Sequence, residues 1–294
     1  MRMPAPGLPG GRRLASPGHG TPQRRWRGPK GFACAQNRLP GSTGKHHASW
    51  MEGYDAATYG QRTAEVYDER VKGARPSQVD LLEELAGEGP VLELGIGTGR
   101  LALPLAAKGL EVHGIDSSEA MVAKLRAKPG GDRVTVDMGD FADFDLAQRF
   151  SLVFVAFNTL FALPDQEAQL GCFAAVSRHL LPGGRFLVEA FVPDICRFDH
   201  GQRVSAMEVG LDWVFLECSR HDPAAQTVTS QHVELGAGGA RLYPVYIRYA
   251  WPSELDLMAS ISGLQPEGRW DGWDRRPFTG TSVSTISVWR APLP

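Results

Sequence analysis

Cysteine is scarce, with four in 294 residues. Cys34 stands among the first 50 residues, and Cys172, Cys196 and Cys218 have spacings that match neither a disulfide framework nor a metal knuckle. No set of carboxylates or histidines has ligand spacing either, so a reduced, cytoplasmic setting and no metal are expected. Long apolar runs are missing too. The longest, 150–163, is interrupted by Ser, Asn and Thr and falls short of the roughly 20 residues that span a bilayer, so no membrane partner is expected. The first 50 residues contain no acid at all against nine Lys or Arg, and the formal net charge of −2 conceals this. It leaves 22 basic and 33 acidic residues over 51–294, an excess that repels a phosphate backbone and argues against nucleic acid as a partner. That basic segment also lacks any apolar period and the apolar centre of a secretory signal. Its nine Gly and seven Pro predict a disordered extension over 1–50. Composition changes abruptly at Met51, which reads as the start of the working unit, with an over-extended start before it. Peptides from 1–50 recovered from the natural source would overturn that expectation.

After Met51, short apolar runs alternate with helical patterns. Runs at 91–94, 111–115, 133–136, 152–157 and 185–191 predict strands, and 101–108, 118–128 and 165–181 predict helices, the second capped by Ser117 or Ser118 and the third ending at Pro182-Gly183-Gly184. This rhythm predicts an α/β, doubly wound, Rossmann-like and mostly parallel sheet with its ligand site outside the carboxyl ends of the strands. Ahead of it, 54–71 and 78–85 read as helices. Tyr59 and Tyr67 lie two turns apart on one face and are expected to pack on the sheet. After the fifth strand the helices stop. Segments 204–216, 227–235 and 242–251, rich in β-branched and aromatic residues, predict an antiparallel β insertion over about 200–250 that hangs over the ligand site as a lid. A helix at 253–262, capped by Ser253, and strands at 264–273 and 282–289 complete a single domain, 51–294.

The first strand runs into Glu93-Leu94-Gly95-Ile96-Gly97-Thr98-Gly99-Arg100. Glycines here let the chain turn sharply and a ligand approach the backbone. A dinucleotide fingerprint would need glycine where Arg100 stands, and Glu93 would repel a pyrophosphate while suiting a cationic ligand group. About 20 residues on, Asp116 ends the second strand, where a carboxylate can accept hydrogen bonds from both hydroxyls of a ribose. Met138-Gly139-Asp140-Phe141 follows the third strand and Ala156-Phe157-Asn158-Thr159 the fourth, both on the rim.

With these four elements in order, the sequence resembles the class I S-adenosylmethionine-dependent methyltransferases over 54–290, matching at 93–99, 114–121, 139–141 and in Leu181-Pro182-Gly183-Gly184. The resemblance implies a seven-stranded sheet with the last strand antiparallel, and S-adenosylmethionine as cofactor. It implies that Glu93, Gly95, Gly97 and Gly99 hold the methionyl part, Asp116 the ribose, Met121 one face of the adenine, and Asp140 with Phe141 its edge. The carbonyls near Phe157 and Asn158 would take the ammonium. Read as residues alone, Met121 can equally fill core and Asn158 can equally cap the segment after its strand. The layout of leader and insertion is similar to that of small-molecule enzymes of the amino-sugar and glycine-type N-methyltransferase branch, implying methyl transfer to a nitrogen or oxygen of a small-molecule acceptor. The Asn-Pro-Pro-Tyr motif of many nucleic-acid and protein-glutamine methyltransferases is absent, Asn158-Thr159-Leu160-Phe161 standing in its place. Glu189, His200, His221 and His232 could each take a proton, and nothing in the sequence ranks them. A catalytically silent cofactor-binding module is the alternative from another class; a nucleotide-dependent oxidoreductase is disfavoured by Glu93 and Arg100.

Overall fold

The computed structural model describes residues 51–294, so the basic extension expected over 1–50 lies outside the described residues. The leader holds α1 (Thr58–Thr63), α2 (Tyr67–Arg70) and α3 (Pro76–Ala86). It is followed by β1 (Val91–Leu94), α4 (Ala102–Ala107), β2 (Val112–Asp116), α5 (Glu119–Arg126), β3 (Thr135–Met138), β4 (Phe150–Val155), α6 (Gln166–His179) and β5 (Leu180–Phe191). Then come β6 (Gln202–Val209), β7 (Trp213–Asp222), β8 (Thr227–Gly236), β9 (Gly239–Arg248), α7 (Pro252–Ile261), β10 (Gln265–Trp270) and β11 (Ser284–Arg290). Among the described residues no helix is long and apolar enough to cross a membrane.

The main sheet has seven strands in the order β10-β11-β5-β4-β1-β2-β3, and β11 runs antiparallel to both its neighbours. The order reverses between β1 and β4, so the carboxyl ends of β1, β2 and β4 surround one crevice. β1 is buried at every position, as expected of a central strand covered on both faces, and this is why it reads as an unbroken apolar run apart from Glu93. On one face Phe173, Phe186 and Trp289 meet edge to face, Phe173 lying 5.0 Å from Phe186 and 5.5 Å from Trp289. The expected Ser118 cap forms, its hydroxyl accepting from the Met121 N–H at 3.3 Å. Asp165 also caps α6, accepting from the Ala168 N–H at 2.8 Å, whereas α7, expected to open on a Ser253 cap, starts one residue earlier at Pro252 with no side-chain cap bond.

Three boundaries differ from expectation. The leader helix over 54–71 is two short helices, because Thr63 donates its hydroxyl back to the Tyr59 carbonyl (2.7 Å) and Val66 leaves the helical ladder. The helix expected to run to 181 ends at His179, and Leu180 already pairs with Phe150 in the sheet. The strand expected over 204–216 is a hairpin of β6 and β7. A Cβ at Gly210 would lie 2.1 Å from the Trp213 indole nitrogen, so only glycine allows that ring to fold over the turn. The insertion therefore forms a separate four-stranded antiparallel sheet, β6-β7-β8-β9. Its last strand is bolted to α6 by the buried Arg248, which donates to Gln169 (2.7 Å) and Glu254 (2.6 Å) while Gln169 donates to the Arg248 carbonyl (2.7 Å). All partners of this buried charge are satisfied, the condition under which such a group is tolerated. Val228, Tyr249 and Ala250 belong to the same core cluster as Phe173 and Phe186. Excising the insertion would therefore uncover core, and its role is better tested by single side chains.

Candidate functional site

The rim around the glycine loop is built almost wholly from backbone and two acids. Gly95, Gly97 and Gly99 all have positive φ. A Cβ on Gly95 would lie 2.4 Å from the Thr159 methyl and 3.7 Å from the Phe141 ring, which places the ends of the third and fourth strands against the loop. Gly99 serves packing: its Cβ would meet Leu125 at 2.9 Å and Leu103 at 3.0 Å. Asp116 is buried, one oxygen accepting from the Gly97 N–H (2.7 Å) and the other from the Ser118 N–H (2.8 Å). A carboxylate has four acceptor sites, so each oxygen keeps capacity for a ligand hydroxyl. Burial nevertheless raises its pKa.

Glu93 lies wholly inside. Burial pushes its carboxyl up to about 8 against the opposing influence of Arg100 and of the Ala102 N–H, with Asp116 pushing further up. Its Oε2 is buried with no hydrogen-bond partner. A buried acceptor without a donor costs about 1–3 kcal/mol, and a ligand that supplies a donor or a positive charge recovers it.

The structure thus brings Glu93, the glycine loop, Asp116 and Phe141 together. Met121 is buried beneath the leader, its Cγ 3.1 Å from where a Cβ on Gly60 would stand. Asp140 is exposed and accepts from the Ala142 N–H at 2.9 Å. Asn158 makes no helix cap; its side chain accepts from the Phe191 N–H at 2.7 Å.

At the end of β4, Phe157 and Asn158 both adopt positive φ, 56° and 66°. Such conformations cost about 1–3 kcal/mol each for non-glycine residues and persist only where neighbours enforce them. Glu189 is the enforcer. Its two oxygens accept from the Phe157 N–H and from the Trp273 indole N–H, each at 2.6 Å, and its carbonyl accepts from the Asn158 N–H at 3.1 Å. The carboxylate considered as a base from sequence is thus turned to the rim and to Trp273 and does not line the cavity beyond.

Beyond this rim lies a cavity of about 580 Å³, a size typical of small-molecule sites. Its floor is Phe157, Asn158 and Phe191, its roof the inner face of the β6–β9 sheet, and its side the leader tyrosines Tyr54, Tyr59 and Tyr67. The two-turn spacing of Tyr59 and Tyr67 was expected to pack them on the sheet; both instead wall the cavity, because the broken leader crosses the gap between the sheets. The leader is tied at both ends. Asp68 accepts from the Thr98 hydroxyl in the glycine loop (2.6 Å) and pairs with Lys128 (2.7 Å). Arg70 reaches the lid, pairing with Glu234 at 2.6 Å between the rings of Phe215 and Tyr243, 4.6 and 4.2 Å from their centroids. Arg100, noted in the sequence only as the residue that breaks a dinucleotide fingerprint, lies 5.5 Å from the Phe157 ring.

The chain is similar to known proteins. A family model described as a methyltransferase domain matches residues 91–184. The cypemycin N-terminal methyltransferase of a Streptomyces species is 27% identical over 240 residues, covering 80% of this chain and 98% of that protein. The solved structure of the CcbJ methyltransferase from Streptomyces caelestis is 44% identical with a TM-score of 0.76, covering 81% of this chain and all of that one. An S-adenosylmethionine-dependent methyltransferase from Clostridium acetobutylicum shares the fold at 15% identity and a TM-score of 0.67, covering 78% and 97% of the two chains. The chain belongs to the class I S-adenosylmethionine-dependent methyltransferases, and its cofactor is S-adenosylmethionine.

Proposed function

We propose that this methyltransferase acts on an amine nitrogen of a small, largely apolar acceptor. The observation that carries this reading is the cavity itself, closed by the β6–β9 sheet and opening onto the Phe157–Asn158 rim beside the glycine loop. Aromatic and aliphatic side chains together supply most of its wall, which suits an apolar body. Asp194, His232 and Glu217, the last paired with Arg197 at 2.9 Å, also face it together with Arg203, and the two acids and the imidazole suit an ammonium that must shed its proton before it can react. The relative that is 27% identical over nearly its whole length is named an N-terminal methyltransferase, which agrees with a nitrogen acceptor.

The donor side suits the cofactor on its own chemistry. Glu93, with its buried unpartnered oxygen, and the Gly95–Gly99 turn would hold the cationic methionyl end, and Asp116 the ribose hydroxyls. Phe141, Asp140 and Met121 would border the adenine, and Asn158 would fix the rim. When bound, S-adenosylmethionine supplies an activated methyl group. The protein's task is then alignment within about 3–3.5 Å, which removes much of the barrier without a dedicated electrophile. Glu189 serves it by holding the strained rim, and the leader by joining the glycine loop to the lid.

Titration calorimetry with S-adenosylmethionine and with NAD, followed by transfer of a radiolabelled methyl group into a fractionated metabolite extract, tests the reading. Micromolar binding of the first ligand alone and label in an amine fraction are expected. Cofactor binding with no label in any fraction would favour a silent binding module instead.

A further inference from the structure

We propose that His232 on β8 is the proton acceptor for the amine, with Glu217 on the facing strand β7 as its positioning partner; this rests on the amine reading above. Four side chains could serve from sequence alone, and the structure separates them. Glu189 lies outside the cavity lining, its oxygens accepting from the Phe157 N–H and the Trp273 indole. His200 is fully exposed beside Asp199, away from the cavity. His221 is paired with the Tyr249 hydroxyl at 2.8 Å and stacked on Phe198 at 4.5 Å, so that those two rings, not its own, line the cavity. His232 lines it directly.

The other cavity groups are less suited. Tyr59 and Tyr67 are held protonated by burial, which raises both. Asp194 is engaged with the Cys196 N–H, and Glu217 with Arg197 at 2.9 Å. His232 sits directly across the ladder from Glu217 on one side and Tyr243 on the other, with the Phe215 ring 5.6 Å away and Arg70 of α2 nearby. Burial, aided by Arg70 and opposed by Glu217, holds its pKa below the ordinary histidine value. The imidazole is therefore neutral at pH 7 and ready to accept, while Glu217 stabilises the imidazolium that results.

The proton balance is complete. The ammonium N–H proton passes to the imidazole, and the freed lone pair forms the nitrogen–carbon bond as the carbon–sulfur pair leaves with sulfur. The imidazolium then releases its proton to solvent.

The test uses the full chain, labelled S-adenosylmethionine, and benzylamine with N-methylbenzylamine as probes. In the wild-type enzyme kcat/KM should fall below the His232 pKa. His232→Gln should lose that acid limb and about 100-fold in rate at pH 7, with cofactor affinity by calorimetry unchanged. Glu217→Gln should retain the limb but move it to lower pH, because the anion that favours the imidazolium is gone. NMR titration of the His232 ring in the cofactor-product complex provides a readout independent of turnover and should show the same displacement. Wild-type methylation with an unchanged pH profile in both variants would overturn the assignment alone. Cofactor binding without label on either amine would overturn the amine reading beneath it.

Discussion

The donor and acceptor sides of this enzyme are made differently. The donor side is drawn from strand ends of one sheet, within 93–141, and its contacts are mostly backbone: Gly97 and Ser118 amides on Asp116, and a loop of three positive-φ glycines. The acceptor side is drawn from the leader, the β4 rim and a second sheet, and its contacts are side chains such as Tyr54, Tyr59, Phe157, Glu217 and His232. A backbone site tolerates little change in its ligand, whereas a side-chain wall can be rebuilt without touching the fold. On the proposed reading, the donor side is fixed by the architecture, and the acceptor side is where specificity would reside.

Separate variants should break that division if it is wrong. The largest effect is expected from Asp116→Ala. Loss of charge-assisted hydrogen bonds should weaken S-adenosylmethionine by about 10- to 150-fold, or about 1.5–3 kcal/mol, by calorimetry. Acceptor KM at saturating cofactor should stay the same; a matching rise would mean that the two sides are one.

Glu93→Gln should cost about tenfold in cofactor affinity, and its pH dependence sharpens the point. The fold keeps Glu93 protonated up to about 8, above its unfolded value of 4.5. Its contribution to stability is therefore full below 4.5 and is lost as pH rises towards 8. The free wild-type protein should lose thermal stability relative to the variant between pH 5 and 8, by up to about 1.4 kcal/mol for each pH unit. Cofactor affinity of the wild type should rise over the same window, as the binding carboxylate ionises, and that of the variant should stay flat.

The smallest effect belongs to the strap. Arg70→Met removes a cation held between Phe215 and Tyr243 and its pair with Glu234. Such contacts contribute about 0.5–1 kcal/mol at a partly exposed site, so acceptor KM should rise about three- to fivefold. Cofactor affinity should change less than twofold, since Asp68 still holds the glycine loop.

The parts that were legible in the sequence share a physical cause. The alternation of strands and helices, the Ser118 cap, the glycine turn and the carboxylates at 93 and 116 all follow from local periodicity and from residues a short distance apart. The parts that were not depend on partners far along the chain. Glu189 looked like a candidate base because its sequence neighbours are apolar; only the fold brings the Phe157 amide and the Trp273 indole onto it. Tyr59 and Tyr67 looked like packing residues because helical spacing cannot tell a sheet from a cavity wall. Positive φ at Phe157 and Asn158 had no signal, since neither residue is glycine; the bonds from both amides to Glu189, with the pairing of Asn158 to the Phe191 amide, enforce it.

The sequence by itself determined the family, the cofactor and the doubly wound sheet, because those rest on short segments whose backbone geometry glycine, capping and burial dictate directly. Tertiary structure alone decided what the acceptor meets. A cavity closed by Tyr54 and Tyr246, which approach to 6.2 Å between ring centres across 192 positions of chain, exists only once two sheets and a leader have packed. The same packing turned four equivalent proton acceptors into one that faces the cavity and three that do not.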